Sequence, residues 1–255
     1  MSGVKQKLRA GEIVYGQMIL ELFTPGMAQI LANAGLEFVI YDMEHGRCDI
    51  GLLSEMIVSC GGTGLTPIAR TPDLNAFPLS RILDLGAKGV MIPRVETGAQ
   101  MRDAIAQLKY APLGRRGVAL GLAHDRYRSR GAAYLEEAND ETLVIAIVET
   151  ARAFENLDEI VGAPGLDVAW MGHYDLTVSL GIPAQFDHPL FLGAMDALLA
   201  SCKRHGVAAG FLPATVADTA HWIRKGFRAI SLGSDVGVYL RAISEFRAGV
   251  VQALV

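Results

Sequence analysis

Apolar residues fall along this chain in short runs of strand type, separated by longer stretches with helical spacing. The runs are Val14–Ile19, Phe38–Asp42, Thr66–Arg70, Gly89–Ile92, Leu143–Val148, Val168–Met171, Val207–Phe211 and Ala229–Leu232. Each is followed by an amphipathic helical pattern. Strands that alternate with helices pair in parallel. Eight such units predict an α/β fold, a closed (β/α)₈ TIM barrel forming a single domain over residues 1–255. An open doubly wound sheet is the competitor, but no GxGxxG opens a helix after the first run. The spacing breaks once, between the fourth and fifth runs. The long loop of about 112–140 holds GRRG, HDRYRSRG and a short helix, and excursions of that length serve function or interfaces. The last stretch, about 238–255, predicts an apolar-faced helix that packs on the barrel or on a neighbouring subunit.

Composition narrows the class. The chain has 255 residues, 51% of them hydrophobic, ample for a core. Its net charge is −4 and it has no basic–aromatic face, which argues against nucleic acid. No apolar run approaches the roughly 20 residues that span a bilayer, and MSGVKQKLRAGE lacks the apolar centre of a signal peptide. Cys48, Cys60 and Cys202 have no metal-type spacing and read as reduced thiols of a cytoplasmic protein.

Barrel chemistry sits after the C-terminal ends of strands. There the sequence places Asp42-Met43-Glu44-His45, Arg70, Pro93-Arg94, Glu149, Gly172-His173-Tyr174-Asp175, Leu212 and Ser234. Glu149 and Asp175 close consecutive strands, about 4.8 Å apart in a parallel sheet. Like charges that close need a proton or a cation between them, and a hard divalent ion held by few carboxylates answers that need. Helix capping is the alternative for both acids, although Thr150 is better placed to cap than Glu149. Arg70 offers a fork for a carboxylate or an oxyanion, with a rim salt bridge to Asp42 or Asp73 as its alternative. His45 titrates near neutrality and suits a general base; a simple hydrogen-bonded histidine is its alternative. Asp84 lies on the third helix and reaches a site only across an interface, or makes a local ion pair. None of the six lysines ends a predicted strand. A Schiff-base aldolase therefore lacks its amine, and carbon–carbon chemistry here calls for a metal.

The residues resemble a known family. Asp42-x-Glu44-His45, Arg70, Leu83–Pro93, Arg116-Gly117-Val118, Glu149-Thr150, Asn156–Ile160, Pro164–Asp167, Gly172-x-x-Asp175-Leu176 and Gly233-x-Asp235 look like the HpcH/HpaI class II aldolases, in order and nearly end to end. The resemblance implies a lyase that cleaves or forms 4-hydroxy-2-oxo acids through a pyruvate enolate, acting on small 2-oxo acids and aldehydes. It implies Glu149 and Asp175 as ligands of Mg²⁺, Mn²⁺ or Co²⁺, and Arg70 on the keto oxygen. His45 would move protons, supported by Asp42 and by Asp84 of an adjacent subunit. Gly172, His173, Tyr174, Leu212 and Ser234 would line the substrate site. It also implies a homohexamer, a trimer of dimers with exchanged C-terminal helices. Ile147 stands where the family usually has Gln, and His173-Tyr174 where it has Pro-Ala; both departures bear on substrate. Oxaloacetate decarboxylation is the alternative reaction on the same site. A phosphate-handling isomerase, using Gly233-Ser234, and a non-catalytic barrel are more distant alternatives.

Overall fold

Eight parallel strands hydrogen-bond in sequence order and close into a barrel: β1 Val14–Ile19, β2 Phe38–Asp42, β3 Thr66–Arg70, β4 Gly89–Ile92, β5 Leu143–Val148, β6 Val168–Met171, β7 Ala208–Phe211 and β8 Ala229–Ser234. The computed structural model describes residues 3–74 and 78–254. Two strands differ slightly from expectation. β7 begins one residue late because the Val207 N–H is taken by the Cys202 carbonyl at the end of the preceding helix, at 3.0 Å. β8 runs on to Ser234, and its pairing with β1 shifts register between Gly16 and Met18.

Side chains on a strand alternate between its two faces, and here the alternation sorts two cores. Phe38, Ile40, Ile68, Met91, Leu143, Ile145, Ile147, Val168 and Trp170 fill the barrel interior. Val39, Tyr41, Ala69, Val90, Val144, Ala146, Val148 and Met171 face the ring of helices. Trp170 fits because its neighbour on β7 is Gly210, where a Cβ would lie 2.2 Å from the indole. The helix Val4–Arg9 plugs the N-terminal end with Val4 and Leu8. Below them Lys5 Nζ donates to the Thr142 carbonyl (2.7 Å) and Asp167 Oδ2 (2.9 Å). Lys109 Nζ donates to the Asn139 and Thr142 carbonyls at 2.5 and 3.0 Å.

The long excursion is a packed layer with a small core of its own, made by Tyr110, Tyr134 and Ala138. It contains a short 3₁₀ turn, Ala123–Asp125, and the helix Ala132–Glu141. Buried His124 bridges the Tyr134 hydroxyl and the Ala119 carbonyl, both at 2.8 Å. The terminal helix runs Asp235–Ala253, three residues earlier than predicted, because Ser234 caps it by accepting from the Gly237 N–H at 3.2 Å. Asp235 is buried and accepts the N–H groups of Leu20, Glu21 and Leu22 at 3.0, 3.0 and 2.6 Å. Beyond it the helix buries none of its described residues and exposes Tyr239, Leu240, Ile243 and Phe246. No helix among the described residues is long and apolar enough to cross a membrane.

Candidate active site

The rows that fill the barrel end in charge. Phe38 and Ile40 lead to Asp42, Ile68 leads to Arg70, and Leu143, Ile145 and Ile147 lead to Glu149. Two-residue periodicity carries each polar group to the same side as the apolar ones beneath it. All three are buried, at the C-terminal mouth.

Asp42 and Arg70 are register partners on adjacent strands. Arg70 Nε donates to Asp42 Oδ1 at 2.8 Å and Nη2 donates to Oδ2. Burial opposes the charge of Arg70, but the hydrogen bond and the charge of Asp42 outweigh it and raise the group. Asp42 Oδ1 also accepts the backbone N–H groups of Glu44 (2.9 Å) and His45 (3.3 Å). Asp42 thus shapes the turn that carries His45 and holds Arg70; its hydrogen bond to His45 is to the main chain. The His45 side chain is 51% exposed, with Nε2 3.9 Å from Glu44 Oε2.

Glu149 is free of capping duty, since Thr150 accepts the Ala153 N–H at 3.0 Å and caps the next helix. Glu149 Oε1 accepts the backbone N–H of Arg94 at 2.6 Å. Burial pushes Glu149 up to about 7; the charges of Glu44 and Asp175 add to the rise, and the Arg94 N–H and Arg70 oppose it. Gly172 makes room for this carboxylate: a Cβ there would lie 2.5 Å from Glu149 Cβ and 2.6 Å from Oε2. The Gly172 N–H is committed to the Val148 carbonyl at 3.1 Å, so the glycine contributes space.

Asp175 stands in the first turn of the helix His173–Ser179, exposed, and accepts no hydrogen bond from a described residue. Neither Glu149 nor Asp175 has an ion-pair partner among the described residues, although the charge of Asp175 adds to the rise of Glu149. Glu44 completes the group. Its side chain is 6% exposed, with Arg70 Nη1 3.2 Å from Oε2 and Arg94 Nε 3.3 Å from Oε1. Oε2 has no hydrogen-bond donor. A buried acid pushed up to about 7 beside an acid with no ion-pair partner fits a hard divalent cation, whereas Glu44 is already flanked by two guanidinium groups. No three described His, Cys, Asp or Glu side chains converge as a ready ligand set. An ion held by Glu149 and Asp175 would therefore take further oxygens from water or substrate.

The other expected site residues are spread more widely. His173 sits in an aromatic nest, its ring 5.2 Å from Phe211 and 5.4 Å from Phe186. Burial pushes it down to about 4, against the charge of Asp175 and a hydrogen bond to the Met171 main chain. It is a neutral packing group beside the mouth. Tyr174 turns outward, 61% exposed and edge-on to Phe186 at 5.2 Å. Leu212 packs against the interior cluster beneath the mouth. Ser234 spends its hydroxyl on the helix cap. Asp84 accepts from Arg116 Nη2 at 2.6 Å within the same chain, and Arg116 lies over the Tyr110 ring at 4.5 Å. Ile147 lies under Glu149 as part of its apolar floor. Two features escaped the sequence reading. Glu44 entered only as a rim residue within the Asp42-x-Glu44-His45 motif, and Arg94 as one rim residue among several, because both lie past the ends of their strands, where alternation no longer fixes direction.

Comparison with known proteins gives the family and supports the fold. The model of the family described as HpcH/HpaI aldolase/citrate lyase matches residues 17–242. A 2-keto-3-deoxy-L-rhamnonate aldolase of Klebsiella pneumoniae is 31% identical over 239 residues, covering 94% of this chain and 89% of that protein. The crystal structure of an HpcH/HpaI aldolase from Desulfitobacterium hafniense is 30% identical, with a TM-score of 0.90 over 100% of this chain and 97% of that one. An HpcH/HpaI aldolase/citrate lyase family protein from Burkholderia cenocepacia is 31% identical, with a TM-score of 0.90 over 97% of this chain and 98% of that one. The chain therefore belongs to the HpcH/HpaI aldolase/citrate lyase family, a family of carbon–carbon lyases.

Proposed function

We propose that this protein is a divalent-metal-dependent lyase that cleaves 4-hydroxy-2-oxo acids to a pyruvate-type 2-oxo acid and an aldehyde, or runs the reverse addition. The observation that carries the reading is Glu149: a buried acid beside Asp175, with no cation of the chain paired to either, kept protonated up to about 7. Glu149 and Asp175 would hold Mg²⁺, Mn²⁺ or Co²⁺. When bound, the ion supplies a Lewis acid for the electron density left by carbon–carbon cleavage.

The chain's own groups divide the remaining work. Asp42 fixes the Arg70 guanidinium through two hydrogen bonds, and Nη1, 3.2 Å from Glu44 Oε2, stabilises the oxygen that gains charge. His45, exposed on the turn that Asp42 shapes, takes the proton from the 4-hydroxyl and returns it in the reverse direction. Leu212 and the aromatic nest of His173 exclude water from one side of the mouth. Glu44, held between Arg70 and Arg94, orders water there. Asp84 bears on the site only through a neighbouring subunit. The exposed apolar face of the terminal helix supports a homo-oligomer, a hexamer by the family resemblance, and three buried free cysteines support a cytoplasmic setting.

The test is pyruvate release by chelator-stripped protein, assayed on a panel of 4-hydroxy-2-oxo acids and oxaloacetate with Mg²⁺, Mn²⁺ or Co²⁺ restored. Activity that returns with the metal and disappears in Glu149→Gln is the expected result. Full activity in the stripped protein, or in Glu149→Gln, overturns the reading.

A further inference from the structure

The mouth holds a second guanidinium, and it is used differently from Arg70. Arg94 follows β4 with a left-handed backbone, φ 56°, a conformation that costs a residue with a Cβ about 1–2 kcal/mol. The strained turn does two things. It aims the Arg94 N–H at Glu149 Oε1, 2.6 Å away. It also sends the side chain across to Glu44, whose Oε1 accepts from Nε at 3.3 Å.

That single bond leaves both Nη groups of Arg94 without an acceptor among the described residues, on a side chain 64% exposed. Arg70 is the reverse case: its side chain is 9% exposed, Nε and Nη2 are on Asp42, and Nη1 faces Glu44. Arg47, also near the mouth, leans over the Phe23 ring at 5.8 Å, with Nε toward the Glu21 carbonyl at 3.4 Å. Among the described residues only Arg94 joins a bond to Glu149 with an open, planar pair of donors. Such a fork matches a carboxylate or phosphate edge-on. An anionic tail entering past Glu44 and Asp175 would be repelled unless a cation received it.

We propose that Arg94 is a specificity residue that receives the anionic end of the acceptor half of the substrate, a carboxylate or a phosphate, through its two Nη groups. The proposal rests on the lyase reading above for the placing of the 2-oxo end.

Binding of inert 2-oxo acids to the full chain with Mn²⁺, measured by calorimetry, tests it without needing turnover. The probes are 2-oxopentanoate, 2-oxopentanedioate and a 2-oxo acid of matched length ending in a phosphonate. The wild-type chain is expected to bind an anionic-ended probe roughly 10- to 100-fold tighter than 2-oxopentanoate, the range of one charge-assisted pair. The tighter of the two tails identifies carboxylate or phosphate. Arg94→Met keeps the apolar stem and removes the fork. It should abolish the preference and leave 2-oxopentanoate within about twofold, since this tail makes no charge-assisted pair. Arg47→Met should keep the preference.

No preference in the wild-type chain, or one that survives Arg94→Met, overturns the proposal. Equal weakening of all three probes in Arg94→Met also overturns it, because Arg94 would then act only by holding Glu44 and Glu149. Failure of the underlying lyase reading looks different: 2-oxopentanoate would bind as well without Mn²⁺ or in Glu149→Gln, while the comparison between tails keeps its meaning.

Discussion

Two clusters of charge are buried in this barrel, one at each end, and they are built on opposite terms. At the N-terminal end Lys5 and Lys109 place their ammonium donors on two carbonyls and on Asp167. Asp167 in turn accepts the Val144 N–H at 2.9 Å. At the C-terminal mouth buried Glu149 has no ion-pair partner among the described residues and resists losing its proton, next to an exposed Asp175. Satisfied buried charge is scaffold, whereas unsatisfied buried charge waits for something the chain does not supply. The same parallel strands support both ends, so the difference comes from partners.

The sharpest way to break this contrast is to neutralise one acid at each end. Glu149→Gln should lower pyruvate release on the order of 10³-fold, as removal of a preorganised electrostatic group does, with no loss of thermal stability. Asp167→Asn should do the converse. It leaves Lys5 buried without its anion, at a cost of about 3 kcal/mol in urea unfolding, and folded molecules should keep their turnover. If Asp167→Asn impaired turnover and Glu149→Gln impaired only folding, the assignment of the two ends would be reversed.

His45→Ala should reduce retro-aldol turnover by about 10²-fold, the scale of a lost general base. It should spare oxaloacetate decarboxylation, in which no hydroxyl proton is removed. Equal losses in the two assays would take His45 out of the proton path.

Acid and base separate the ends more gently. Glu149 has a raised folded value, so the metal-free chain should lose stability as pH rises from 4.5 to about 7. Burial, and then the charge of Lys5, push Lys109 down to about 7; its contribution is present above 10.5 and is lost as pH falls toward 7. Each limb should slope by at most about 1.4 kcal/mol per pH unit. Denaturant titrations across pH should show Glu149→Gln flattening the acid limb and Lys109→Met the alkaline one. A flat profile in the parent chain would contradict both shifts.

The smallest effect belongs to His173. Its lowered value means stability is lost as pH falls from 6.5 to about 4. His173→Phe, which keeps a ring in the aromatic nest, should move the acid midpoint of unfolding to lower pH. An unmoved midpoint would show that the imidazole is already charged there.

Much of this was legible along the chain. The alternating rows beneath Asp42, Arg70 and Glu149 have a strict period of two, so each polar group shares a face with the apolar residues beneath it. The β/α rhythm then identifies the mouth, and Thr150 beside Glu149 already announces which of the two caps the helix. What no pattern carried was contact between distant segments. Lys5, Lys109 and Asp167 come from a terminal helix, a barrel helix and a turn, and they meet only because the barrel closes. Ser234 stood in a rim position, yet its hydroxyl caps a helix that starts three residues sooner than its apolar pattern. Tyr174 was a large residue beside two acids, and only the folded structure, where it packs edge-on to Phe186 and stays 61% exposed, decides that it faces outward. Periodicity is a local property of the chain and fixes which face a residue takes. The partner met on that face depends on strand register, closure and backbone turns such as that at Arg94, which are set by the packing of the whole barrel.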